Sequence, residues 1–126
     1  MAIHYTLSDD EGTLYVQATG FDESLAQVEA YNNAVIQVCT AGGYARVLCD
    51  ERLLEYRLTT IDTYALADFL VRHGPRAVRL AIVCNAQGLA DARFWEDVAT
   101  NRGALVRVFG DPAAARDWLK QWPVAR

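Results

Sequence analysis

Two stretches near the start of the chain alternate apolar and polar positions with the period of half-buried strands. Ile3, Tyr5 and Leu7 share one face of the first, and Leu14, Val16 and Ala18 one face of the second. Between them Ser8-Asp-Asp-Glu-Gly12 is dense in turn formers, so the chain opens on a predicted β-hairpin. The period then changes. Leu25, Val28, Val35 and Cys39 recur at helical spacing, interrupted by Asn32, with Asp22 or Ser24 as candidate N-cap and Thr40-Ala-Gly-Gly43 as the stop. Val47, Leu48 and Cys49 form a short continuous apolar run inside Ala45–Asp50, the pattern of a buried parallel strand with an acidic tip.

The segment Glu51–Thr59 delays the helix that should follow this strand. Within it Leu54, Tyr56 and Leu58 alternate with Glu55 and Arg57, so Leu53–Leu58 is expected to be extended, with one apolar face. Such a face must cover something: the domain's own core, a small apolar cavity, or a second subunit. Thr59 and Asp62 then match a shortened capping box, and a helix is predicted from Thr60 to His73, stopped by Gly74-Pro75. A strand over Val78–Cys84 and a helix over Gly88–Arg102 follow, the helix with Phe94, Trp95 and Val98 on its apolar side and Gly103 as terminator. A last strand spans Leu105–Phe109. The final helix opens on Asp111-Pro112, carries Ala115, Trp118, Leu119 and Trp122 as an inner stripe, and closes at Pro123. The order ββαβαβαβα predicts one α/β domain over residues 1–126, a mixed, mainly parallel sheet with an antiparallel opening hairpin.

Composition narrows the function classes. Apolar residues make up 52% of the chain and charged ones 22%, which is enough to build a core. Sixteen acidic residues against twelve basic give a net charge of −4, and the basic residues, all arginines except Lys120, are scattered. That excludes the clustered cationic footprint of a nucleic-acid binder. The three cysteines, Cys39, Cys49 and Cys84, lie in no zinc-type spacing and suit a reducing compartment. The longest apolar run, Leu80–Cys84, is far too short to span a bilayer, and no leader pattern opens the chain. A cytoplasmic protein without a transmembrane segment is expected.

Several motifs together resemble the anti-sigma-factor antagonist, or STAS-type, domains with the fold of stage II sporulation protein AA, and among them small stand-alone bacterial proteins. They are Arg46-Val-Leu-Cys-Asp-Glu-Arg52, Leu80-Ala-Ile-Val83, Asn101-Arg-Gly103, Val106-Arg-Val-Phe-Gly-Asp111 and Ala115-Arg-Asp-Trp-Leu119. The resemblance implies a noncatalytic regulatory module that works through protein partners and as a homodimer. It also implies a hydroxyl phosphorylated by a partner kinase just after the strand that ends at Asp50. Here Glu51 and Arg52 stand in its place. Thr59 and Thr60 are the nearest hydroxyls, each equally accounted for as a helix cap. An alternative function is binding of a small apolar ligand or lipid in a pocket under Leu53–Leu58.

The remaining candidate chemistry is sparse. Asp50, Glu51 and Arg52 form a charged cluster on an expected loop, where a local ion pair accounts for them. With Asn85 and Gly110 they are placed to rim a crevice at the carboxyl ends of the strands. His4 and His73 read as surface or capping groups, and Trp95, Trp118 and Trp122 as packing residues on helices. No nucleophile elbow, phosphate-binding loop or metal-ligand spacing is present, so no catalytic residue, cofactor or metal site is assigned.

Overall fold

The computed structural model describes residues 2–122, and Pro123 lies outside them. The elements run β1 (Ile3–Asp10), β2 (Thr13–Phe21), α1 (Leu25–Gly42), β3 (Arg46–Glu55), α2 (Thr60–His73), β4 (Arg79–Val83), α3 (Leu89–Asn101), β5 (Val106–Phe109) and α4 (Pro112–Lys120). The five strands lie side by side in chain order. β1 and β2 are antiparallel, and every later pairing is parallel. The predicted order and sheet type are both observed.

The two faces of the sheet are covered unequally. Leu14, Val16, Val47, Cys49 and Ile82 point toward α1, α2 and α3, where Val28, Tyr31, Ala67, Ala92 and Trp95 complete the larger core. The intervening residues Leu48, Ala81 and Val83 face the other way and bury Ala115 and Leu119 of α4. This division follows from the pleat, which sends successive side chains to opposite faces.

Local signals located most ends. The Ser24 hydroxyl caps α1 by accepting from Gln27 N at 3.3 Å, and the Thr59 hydroxyl caps α2 by accepting from Asp62 N at 3.1 Å. The hairpin turn is tighter than Ser8–Gly12. Asp10 pairs with Thr13, leaving Glu11 and Gly12 as a two-residue loop with φ of 51° and 88°, the primed geometry that matches strand twist.

Three expectations are corrected. Phe94 is exposed and the buried row of α3 is Ala92, Trp95 and Ala99, because Phe94 sits one residue off the inward stripe. Trp122 lies past the end of α4, where Arg79 stacks over its ring and over Trp118, so it is not part of the helical stripe. The third correction concerns β3. The strand does not stop at Asp50 but continues to Glu55, so Asp50, Glu51 and Arg52 are strand residues and not a loop. Gln17 pairs with Asp50 but Thr19 with Leu53, so β3 spends one more residue than β2 on the same step. This β-bulge lets a charged triplet pass through a sheet without breaking it.

Candidate functional site

The pleat sends two neighbouring acids to opposite faces of the sheet. Asp50 lies on the α4 side of the sheet, where its Oδ2 accepts from Tyr15 Oη at 3.1 Å and from Arg52 Nη2 at 2.7 Å, while Arg52 Nε donates to Oδ1 at 2.9 Å. The Arg52 guanidinium holds the Asp50 carboxyl below its ordinary value despite burial. Asp50 is thus a paired, structural acid, and the local ion pair expected from sequence is the one it makes.

Glu51 goes the other way. Only 8% exposed, it accepts from Tyr31 Oη at 2.9 Å through Oε2 and from Tyr56 Oη at 2.6 Å through Oε1. Among the described residues no basic side chain forms an ion pair with it. Burial raises the Glu51 pKa, and the two tyrosine hydrogen bonds offset only part of that rise. Burial likewise pushes the Tyr31, Tyr56 and Cys49 groups well above their usual values, with the Glu51 charge adding to each. A cavity of about 110 Å³ opens beside this carboxyl, between β3 and helices α1, α2 and α3. Tyr31, Tyr56 and Trp95 supply its aromatic wall, Leu54 and Ile82 part of its apolar wall, and Asp22 a second buried carboxyl.

No protein-family model matches the chain, and no curated protein does. Solved structures do match. An anti-sigma factor antagonist from Mycobacterium paratuberculosis aligns with a TM-score of 0.67 at 12% identity, over 94% of each chain. The fold is of the STAS type. A protein of the DUF3478 family from Shewanella loihica, described as having a SpoIIAA-like fold, aligns with a TM-score of 0.55 at 20% identity, again over 94% of each chain. In this STAS-type sheet the acids described above lie at the bulge within β3.

Within the STAS-type frame the residues singled out from sequence take distinct places. Leu54 is 3% exposed in the larger core, and Tyr56 and Leu58 pack against that core, so the segment after the bulge roofs the domain and lines the cavity at once. Thr59 is the N-cap of α2, and Thr60 opens its first turn; both side chains are exposed. Asn85 bonds to backbone at the same edge of the sheet. Its Nδ2 donates to Arg52 O at 3.0 Å and its Oδ1 accepts from Gly88 N at 2.8 Å, tying the β4–α3 turn to the bulge. Among the described residues no group of acids, histidines and cysteines could hold a metal, and no helix is long and apolar enough to cross a membrane. Sequence reasoning missed Tyr15, Tyr31 and the role of Trp95. Tyr31 had a usable signal, since it follows Val28 by three and precedes Val35 by four, filling the gap in the α1 stripe.

Glu51 gives the domain a pH dependence of definite sign. Its pKa is raised in the folded state, so between the ordinary carboxylate value and the raised one the native state holds more protons than the unfolded chain. Stability therefore falls as pH rises through that window. Asp22, also raised by burial, acts in the same direction, whereas Asp50 opposes it at lower pH. The titratable groups around Glu51 are Asp22, Tyr31, Cys49, Asp50, Tyr56 and Cys84. Glu51→Gln is expected to be more stable than wild type at pH 8, by about 1 kcal/mol, and to lose that advantage near pH 4. Urea denaturation at both pH values measures this, and an equal difference at the two would refute it.

Proposed function

We propose that this protein is a noncatalytic regulatory module of the STAS type that docks on a protein partner through the start of α2. The observation that carries the reading is the exposure there of two large apolar side chains, Ile61 at 81% and Tyr64 at 51%. Three residues apart, they share one face of α2, directly after the Thr59 cap. The whole-chain fold likeness to an anti-sigma factor antagonist supports the same assignment. Thr59 and Thr60 lie beside that face, and a phosphate on either would place a dianion at the docking edge. The module works in the cytoplasm, and a second copy of the chain is among the partners this face would accept. Ile61→Asp combined with Tyr64→Ser is expected to weaken partner capture from lysate at least about tenfold with the melting temperature unchanged. Equal capture by the variant would overturn the reading, and loss of a dimer in light scattering would identify the partner as a second copy.

The cavity under Leu54–Leu58 supports a second reading, a small-ligand binder. Its volume of about 110 Å³ is below the roughly 150 Å³ of a cavity that accepts benzene, so the guest has few heavy atoms. A lipid acyl chain exceeds that space.

A further inference from the structure

We propose that the cavity between β3 and helices α1, α2 and α3 binds a small organic cation, a short primary alkylammonium, with its charged head at Glu51. The inference rests on the small-ligand reading of the cavity and names the ligand's class.

Charge is the first argument. Glu51, Asp22 and Asp91 line the cavity, and no lysine, arginine or histidine does. Several acids elsewhere in the domain have cationic partners: Asp50 has Arg52, Asp10 has Arg116, and Asp68 has Arg72 and Arg102. Glu51 is more deeply buried than Asp10 or Asp68, yet only neutral hydroxyls bond to it. A buried carboxylate with no cation is a costly arrangement unless something neutralises it.

Hydrogen-bonding capacity is the second. Each Glu51 oxygen accepts one bond, from Tyr31 or Tyr56, and a carboxylate oxygen can accept about two. An ammonium carries three donors and fits the remaining acceptor sites, whereas an anionic guest would be repelled. Tyr31, Tyr56 and Trp95 add the aromatic surroundings that favour organic cations. The rest of the lining, including Val28, Val35, Leu66 and Ile82, is apolar and suits a short alkyl chain. Scaled from the roughly 150 Å³ cavity that holds benzene, the volume limits the guest to about four or five heavy atoms.

The test compares n-butylammonium with 1-butanol, probes of equal size that differ in charge, by NMR titration of wild-type protein and Glu51→Gln at neutral pH. Butylammonium is expected to bind wild type at least about tenfold more tightly than butanol, shifting the Trp95 indole resonance. Glu51→Gln, shown to be folded by an unchanged circular dichroism spectrum, is expected to lose that preference. Butanol binding wild type as well as butylammonium does would overturn the ammonium assignment and leave the cavity reading standing. A preference retained by Glu51→Gln would remove Glu51 as the anchor. Failure of both probes on wild type would overturn the cavity reading as well.

Discussion

Leu54→Asp is expected to lower the stability of the domain by about 4 kcal/mol or more, enough to unfold much of it at room temperature. Leu54 is 3% exposed, pairs in register with Gly20, and packs in the larger core. Truncating a buried leucine alone costs about 2–5 kcal/mol, and the aspartate adds an uncompensated buried charge. That charge would enter a wall already holding Glu51 and Asp22, with no basic residue to receive it. Leu53→Asp is the built-in control. Leu53 is 67% exposed on the opposite face, so the same substitution one residue earlier should change stability by less than about 0.5 kcal/mol. Urea denaturation followed by circular dichroism measures both. A stable monomeric Leu54→Asp variant would show that this face meets a second subunit instead of roofing the core.

The second large effect lies directly across the sheet. Gly20→Ala is expected to cost about 3–5 kcal/mol and to lower the melting temperature by about 10 °C. Gly20 has φ of +98°, a conformation that strains any side-chain-bearing residue, and a Cβ there would stand 2.0 Å from the carbonyl oxygen of Ala2. The obstacle is backbone, so it cannot swing aside like the end of a side chain. That same carbonyl accepts from Phe21 N at 3.2 Å, so retreat breaks the bond holding the start of β1 to the end of β2. Retreat in the other direction is blocked because Gly20 also pairs with Leu54 of β3. Scanning calorimetry decides it; a melting temperature within 2 °C of wild type would mean that the β1–β2 junction yields far more readily than this geometry allows.

Both substitutions act where β2 meets β3 after the bulge, and so does the candidate site. The pleat sends Asp50 to Arg52 and Tyr15 on one face and Glu51 to Tyr31 and Tyr56 on the other, and the bulge then turns Leu54 to the face of Glu51. Two adjacent carboxyls thereby acquire opposite characters, one held ionised by an arginine and one resisting ionisation in an apolar wall.

The element order, the opening hairpin and the limits of α2 were legible in the chain itself. They depend on signals spanning only a few residues: alternation at Ile3–Leu7 and Leu14–Ala18, the Thr59 hydroxyl three residues before Asp62, and Gly74-Pro75 after His73. The apolar face of Leu54, Tyr56 and Leu58 was legible too, but not what it covers. The course of Asp50–Arg52 was decided by tertiary structure, because three charged residues in sequence read as a loop until their partners are known. Those partners, Tyr15 and Tyr31, lie 35 and 20 residues away on other elements. The cavity has the same origin. It exists where side chains of α1, α2, α3 and β3 fail to fill the space between them, and local periodicity carries no information about volume. Sequence alone determined which faces are apolar; packing across the sheet decided which acid is paired, which is buried without a cation, and where the open space lies.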